Sequence, residues 1–254
     1  MKMDSNTILI TGGTSGIGFE LATQLLGLGN TVIITGRDQF KLDLAKKKLP
    51  KLHTFQCDVS DPTAIADLFE KITSQFPELN FLINNAGISR NLNFNTQEVA
   101  FEAITSEITI NFSGSIWMVK QFLSHLKEKK SAAILNVSSA LAFVPYPLSP
   151  VYCATKAGIH SFTQSLRIQL KNTNVNVFEL APPLTQTPLI GDLNADFGTK
   201  PMNVSELVRF TIKNLEKNNF EILPGQSSML KFMSRLAPQF MLNQLSKSLD
   251  QTFN

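Results

Sequence analysis

Tyr152 and Lys156 stand four residues apart in "SPVYCATKAGIHSF", which runs from Ser149 to Phe162. On a helix, that separation puts both side chains on one face. A phenol with a pKa near ~10 is a poor base at neutral pH. An ammonium group held at ~4 Å favours the phenolate by about 4 kcal/mol at an effective dielectric near 20, or roughly three pK units. Desolvation opposes that gain. The spacing is therefore that of a tuned acid–base group, able to protonate an alkoxide forming from a carbonyl or to take the proton from an alcohol. The structural alternative is a surface tyrosine followed, one turn later, by a solvated lysine.

A second chemical feature lies near the N-terminus. "ILITGGTSGIGFELA" sets Gly12, Gly13, Gly16 and Gly18 between an apolar run and a helical pattern. Glycines permit a tight turn and let backbone N–H groups approach a pyrophosphate, and a helix start adds unpaired donors and a positive dipole end. The turn reads G-x-x-x-G-x-G through Gly12, Gly16 and Gly18, with Thr14, Ser15 and Ile17 between them. Its place after the first apolar run predicts a dinucleotide site.

The elements that must position these groups are legible as alternating runs. "TILIT" (7–11), "TVIIT" (31–35), "LHTFQC" (52–57), "NFLINN" (80–85), "AAILNVSS" (132–139), "VNVFEL" (175–180) and "FEIL" (220–223) are continuously apolar or nearly so. Strands covered on both faces read this way. Helical segments separate them; "SDPTAIADLFEKITSQF" opens with a Ser/Asp cap and has Pro62 at the first helical position. The alternation predicts an α/β fold: a single-domain, Rossmann-type, doubly wound parallel sheet of about seven strands with helices on both faces. No repeat or linker divides residues 1–254. A mobile loop is expected at 182–202 and a Met-rich C-terminal extension at 226–254.

Composition narrows the function. Apolar residues make up 43%, charged residues 17%, and the net charge is +3. That balance excludes a disordered chain and offers no basic patch for nucleic acid; "KLDLAKKKLPK" has the spacing of one solvated helix face. Cys57 and Cys153 fit no metal or redox spacing, so no metal is expected and a reducing, cytoplasmic location is. The first apolar run is too short for a signal peptide, and no window approaches the ~20 apolar residues of a membrane span.

With the glycine turn, "NNAG" at 84–87 and Tyr152/Lys156 in this order, the chain resembles the short-chain dehydrogenase/reductase family, in its compact single-domain branch, over roughly residues 5–225. The resemblance implies hydride transfer between a nicotinamide cofactor and a carbonyl or secondary alcohol. It implies that Gly12, Thr14, Ser15, Gly16, Ile17 and Gly18 hold the cofactor. Asp58, with Val59, would lie near the adenine, and Asn85, Ala86 and Gly87 would line the adenosine side. Asp58 also reads as a turn or helix cap, and "NNAG" as a plain strand-ending turn. Asn111 would bend its helix and hold a water leading to the lysine. Ser139 would bind the substrate oxygen, a role that Ser138 could also fill. Asn111, Ser139, Tyr152 and Lys156 complete the family's tetrad, with Tyr152 and Lys156 also touching cofactor.

Two departures bear on the cofactor. After the sixth run, "APPLTQTPL" keeps Pro182 and Thr187 but has Pro183 where the family commonly has glycine; Thr185 and Thr187 would meet the nicotinamide amide. At the end of the second run, "VIITGRDQF" has Gly36 where an NAD enzyme of the family carries Asp. Arg37 follows it, suited to a 2′-phosphate. Asp38 beside it either caps the next helix or neutralises it. The family's other NADP signal, a basic residue in the glycine loop, is missing at Thr14 and Ser15. NADP is expected, with NAD as the alternative.

A small carbonyl or alcohol substrate is expected, in an apolar pocket built from Phe94, Phe143, Pro145, Tyr146, Leu189, Ile190 and the Met-rich tail. The apolar helices around 98–128 and 150–172 predict a homodimer or homotetramer. The alternative function is a catalytically silent NADP-binding regulator. A hydrolase built on Ser139 lacks the G-x-S-x-G elbow, and His53, His125 and His160 read as ordinary loop or helix residues. For the tail, packing on this chain or a second subunit is favoured over membrane contact. "LAFVPYPLSPVYCATKAGIHSF" is also similar to an oxidoreductase grouped with bacterial lipoteichoic-acid D-alanylation genes, a mark of lineage rather than of activity.

Overall fold

Each apolar run becomes a strand in the computed structural model, which describes residues 2–95, 98–191 and 200–252. The strands are β1 (Thr7–Thr11), β2 (Thr31–Gly36), β3 (His53–Gln56), β4 (Leu79–Asn84), β5 (Ala132–Val137), β6 (Val175–Leu180) and β7 (Glu221–Ile222). They form one parallel sheet in the order β3-β2-β1-β4-β5-β6-β7. The helices are α1 (Gly16–Gly27), α2 (Gln39–Lys48), α3 (Pro62–Gln75), α4 (Phe101–Ile108), α5 (Gly114–Lys127), α6 (Pro150–Gln169), α7 (Pro188–Gly191), α8 (Val204–Glu216), α9 (Ser227–Leu236) and α10 (Pro238–Thr252).

Both sheet faces are covered, which is why the strand sequences do not alternate in polarity. Ile8 and Ile10 of β1 face a core with Leu21 of α1, Leu42 of α2 and Leu207 of α8. Leu9, between them, faces the opposite core with Ile65 of α3, Phe122 of α5 and Leu166 of α6. Caps set the helix starts: Asp61 accepts from Thr63 N at 2.8 Å ahead of Pro62, and Asp38 accepts from Lys41 N at 3.2 Å. Asp38 is thus the cap of α2, and the basic stretch is the exposed face of that helix, with Leu42 and Ala45 buried.

The strand order reverses between β1 and β4. β2 and β3 extend to one side and β4 to β7 to the other, so the loops leaving β1 and β4 part at the carboxyl ends of the strands and open a crevice there. The runs at 52–57 and 132–139 outlast their strands by Cys57, Ser138 and Ser139, which border that crevice while Cys57 N and Ser138 N still donate to Gly36 O and Leu180 O of the neighbouring strands. The stretch 101–127 is not one helix: a π-helical turn over Thr109–Ser113 separates α4 from α5. Of the loop expected at 182–202, residues 192–199 lie outside the described residues. Its flanks are tied together where Met202 N donates to Leu184 O at 2.8 Å and Gln186 N to Met202 O at 2.9 Å. The C-terminal extension forms α9 and α10.

Candidate active site

The glycine turn is required by backbone geometry and by contact with β4. Gly12 and Gly16 take φ of +65° and +55°, the left-handed region that side chains disfavour. A Cβ on Gly12 would fall 2.8 Å from Ala86 Cα. Thr11 Oγ1 accepts from Asn85 N at 3.0 Å and Ala86 N at 3.1 Å, while Asn85 Nδ2 donates to the carbonyls of Thr11 and Gly12, each at 3.0 Å. The amide of Asn85, expected on the adenosine side, therefore braces the glycine turn, although the residue still borders the crevice. α1 begins at Gly16 with Ser15 as its N-cap, and the Ser15 side chain makes no capping bond. The first-turn N–H groups thus open towards a cavity that Ser15, Gly16 and Ile17 line.

That cavity has a volume of about 670 Å³. Gly36, Arg37, Asp58 and Val59 border one end and Ser139, Tyr152 and Lys156 the other, with Ala86 and Gly87 also on its wall. Arg37 is exposed, with its carbonyl held by Gln56 Nε2 at 2.9 Å. Asp58 caps its own turn, its Oδ1 accepting from Ser60 N at 2.9 Å and Ser60 Oγ at 2.7 Å; the cap reading holds, beside its place on the cavity wall. Thr185 is buried, with its hydroxyl donating to Pro183 O at 2.8 Å. Pro182 O accepts from Ala140 N at 2.8 Å. Thr187 lies against the glycine turn, 3.3 Å from where a Cβ on Gly16 would stand.

At the other end, the two serines separate. Ser138 Oγ donates to Glu179 Oε1 at 2.5 Å. Ser139 Oγ accepts from Leu141 N at 3.1 Å and lies beside the Tyr152 side chain, where it favours the phenolate. Burial pushes the Tyr152 phenol up to about 12, against the opposing pull of Ser139. Burial likewise lowers the Lys156 ammonium to about 8. Lys156 Nζ donates to Val137 O at 2.8 Å and stands 5.6 Å from the centre of the Tyr152 ring. Desolvation sets the direction of both shifts, and Lys156 Nζ is engaged with a backbone carbonyl.

Asn111 occupies the π-helical turn. Its Oδ1 accepts from Ile88 N at 2.8 Å, and its Nδ2 donates to Ile88 O at 2.8 Å and Thr155 Oγ1 at 3.2 Å. A Cβ on Gly87 would stand 3.3 Å from Asn111 Oδ1 and 3.6 Å from Lys156 Nζ, so both polar groups lie close to that glycine. Asn111 thus sits where α4 passes into α5, and its side chain ties the Gly87–Ile88 loop to α6.

The short chain dehydrogenase family model matches residues 6–197. The chain belongs to the short-chain dehydrogenase/reductase family. It is 44% identical over 226 residues to the uncharacterized oxidoreductase DltE of Bacillus subtilis (strain 168), covering 87% of this chain and 89% of that one. That match agrees with the lineage expected from the segment around Tyr152. A short-chain dehydrogenase from Burkholderia cenocepacia J2315, in complex with NADP, superposes with a TM-score of 0.84 at 23% identity, covering 96% of this chain and 99% of that one. A short chain dehydrogenase/reductase from Burkholderia phymatum, in complex with NAD, gives 0.83 at 19% identity over 92% and 95%. The protein is thus an oxidoreductase of this family, on a Rossmann-like sheet.

The substrate end of this short-chain dehydrogenase/reductase matches the expected one in part. Of the residues expected there, Leu189 lines the cavity. Phe94 is 60% exposed, Tyr146 is wholly buried in a separate cluster with Leu148 and Cys153, and Phe143 packs edge-on against His160 at 5.0 Å. Pro145 is not on the cavity wall, and the Ile190 side chain lies outside the described residues. The tail, also expected there, contributes Met229, Leu230 and Leu245, and Leu141 and Leu184 join them on the apolar wall. Three of these come from α9 and α10, so the tail packs over the site of its own chain. Among the described residues, the charged side chains bordering the cavity are Arg37, Asp38, Lys41 and Asp58 at one end and Lys156 at the other.

Three residues escaped the sequence reading. Lys41 joins Arg37 at the cavity end; its place in the first turn of α2 was the available signal. Glu107 is fully buried one turn before Asn111, its Oε1 accepting from Arg90 N at 3.2 Å, and burial pushes its carboxyl up to about 7. A glutamate within the apolar pattern of its helix was visible, but its partner was not. His160, read as ordinary, is bonded through Nδ1 to the buried carboxylate of Glu179.

Proposed function

We propose that this short-chain dehydrogenase/reductase is an NADP-dependent oxidoreductase acting between a carbonyl and a secondary alcohol on small, apolar, uncharged substrates. The carrying observation is the pairing of Ser139 and Tyr152 at one end of a cavity whose other wall is the glycine turn. A nicotinamide dinucleotide fits this donor set: an uncapped helix start, left-handed glycines, and the Arg37 cation beside Gly36. When bound, it supplies or accepts the hydride.

The chain's own residues bind and orient in this reading. Gly12, Thr14, Ser15, Gly16, Ile17 and Gly18 hold the pyrophosphate. Arg37 meets the 2′-phosphate with parallel donors, and Lys41 reinforces that end. Asp58, Val59, Asn85, Ala86 and Gly87 line the adenosine side. Pro182, Thr185 and Thr187 line the nicotinamide side. Asn111 fixes the Gly87–Ile88 loop, and Lys156 would contribute its positive charge to the cofactor cavity.

Ser139 holds the substrate oxygen beside Tyr152. Tyr152 gives its phenolic proton to that oxygen as an alkoxide develops, or takes it in the reverse direction. Held protonated by burial, Tyr152 starts as an acid, the form that carbonyl reduction requires. The apolar wall from α9 and α10 suits an uncharged substrate. An assembled Asn111–Ser139–Tyr152–Lys156 group favours an enzyme over a silent regulator.

Phe101 and Ile168, 83% and 66% exposed, support a homodimer or homotetramer formed through α4 to α6. Two free, buried cysteines support a cytoplasmic location. The test is Tyr152→Phe, assayed on ketones, aldehydes and 3-oxoacyl thioesters with NADPH and NADH. Turnover falls by ~10²–10⁴-fold while cofactor binding stays near wild type. An unchanged rate refutes the assignment.

A further inference from the structure

Next to the Ser139–Tyr152 pair lies a polar cluster that the proposed chemistry does not use. At its centre is Glu179, a fully buried carboxylate inside β6. A buried carboxylate is tolerated only when donors surround it. Ser138 Oγ donates to its Oε1 at 2.5 Å, and His160 Nδ1 lies 3.0 Å from Oε1 and 2.8 Å from Oε2. The positive charge of Arg167, on the same helix as His160, also acts on Glu179 and on Glu221 of β7. His160, Glu179 and Glu221 bring ligand-type atoms within 4.8 Å of one another. Lys231 of α9, however, engages Glu221, and Ser138 engages Glu179, so both carboxylates are already answered by protein donors.

Each member of the cluster adjoins the site along the chain. Ser138 precedes Ser139. His160 follows Lys156 by one turn of α6. Glu179 lies three residues before Pro182. We propose that Glu179 and His160 are positioning residues for the Ser139–Tyr152 pair. Resting on the oxidoreductase reading of that pair, the inference is that Glu179, steadied by His160, fixes the Ser138 hydroxyl. The backbone at 138–139 then presents Ser139 Oγ to Tyr152. The same carboxylate explains why Ser138, though adjacent, does not take the substrate-binding role.

The first test needs neither substrate nor cofactor. In protein labelled at the tyrosine ring carbon bearing oxygen, the Tyr152 resonance is assigned by its loss in Tyr152→Phe. Ser139→Ala removes the hydroxyl beside the phenol and moves that resonance. Ser138→Ala moves it in the same direction, and the double variant matches Ser139→Ala alone. Glu179→Gln, which keeps an acceptor for Ser138, leaves the resonance near its wild-type position. If Ser138→Ala leaves the resonance in place while Ser139→Ala moves it, the proposal is overturned.

The second test is kinetic. Ser138→Ala lowers kcat roughly tenfold, the cost of slightly misplacing a contact to the reacting atoms, with cofactor affinity unchanged. In a Ser139→Ala background the further loss is under about twofold, because the two residues act as a unit. An equal loss in both backgrounds marks a purely structural role and also overturns the proposal. Absence of wild-type turnover with every carbonyl and both cofactors counts against the oxidoreductase reading alone, since the resonance test is independent of it.

Discussion

Glu107 makes the stability of this protein depend on pH in a way that one substitution should remove. The carboxyl is fully buried in α4, and its Oε2 has no hydrogen-bond partner. Arg90 offers its N–H at 3.2 Å and some charge, but Arg90 Nη1 is itself engaged with Ala103 O at 3.2 Å. Burial wins and raises the carboxyl from 4.5 to about 7. The folded chain then binds more protons than the unfolded chain between those values, so stability falls as pH rises through that window. A rise of that size corresponds to roughly 3 kcal/mol in full and about 2 kcal/mol between pH 5 and pH 8, because the unfolded carboxyl is already mostly ionised at pH 5. Glu107→Gln does not titrate, and any cost of its buried amide is the same at every pH. Denaturant unfolding of both proteins at pH 5 and pH 8 is the assay. The wild type should lose about 2 kcal/mol more than the variant between the two conditions. Equal losses would show that Glu107 carries no buried charge, and the reasoning from its burial would fail.

Arg37→Ala should weaken NADPH binding roughly tenfold to a hundredfold and change NADH binding little, since one charge-assisted hydrogen bond is worth about 1.5–3 kcal/mol. Titration of both cofactors tests this, and equal losses would make Arg37 only a surface cation. Gly12→Ala, forced to φ +65° with its Cβ 2.8 Å from Ala86 Cα, should cost about 1–3 kcal/mol and abolish cofactor binding. A variant with wild-type melting and affinity would contradict the cradle. Light scattering should give a particle larger than the 28.1 kDa chain across a wide concentration range; a monomer throughout would remove the assembly.

The sequence alone determined those features whose causes are local or periodic. Continuous apolar runs marked all seven strands because a parallel sheet buries both faces. The four-residue spacing placed Tyr152 and Lys156 on one helix face because helical periodicity needs no tertiary information. The glycine turn was legible because two of its positions demand positive φ, and the caps at Asp38 and Asp61 because a cap is a contact between near neighbours. Tertiary structure decided what depends on partners distant in the chain. The resemblance favoured Ser139 and left Ser138 open, and the bond of Ser138 to Glu179, 41 residues away, separates the two. The direction of the Tyr152 shift reflects desolvation by everything packed around it, which no spacing encodes. The pocket wall was assigned to residues near Tyr146, to Leu189 and Ile190 and to the Met-rich tail; the packed fold keeps Leu189 and the tail, through α9 and α10, and turns Tyr146 and Phe143 elsewhere. Apolar character says that a side chain leaves water; only the packed fold says which surface it meets.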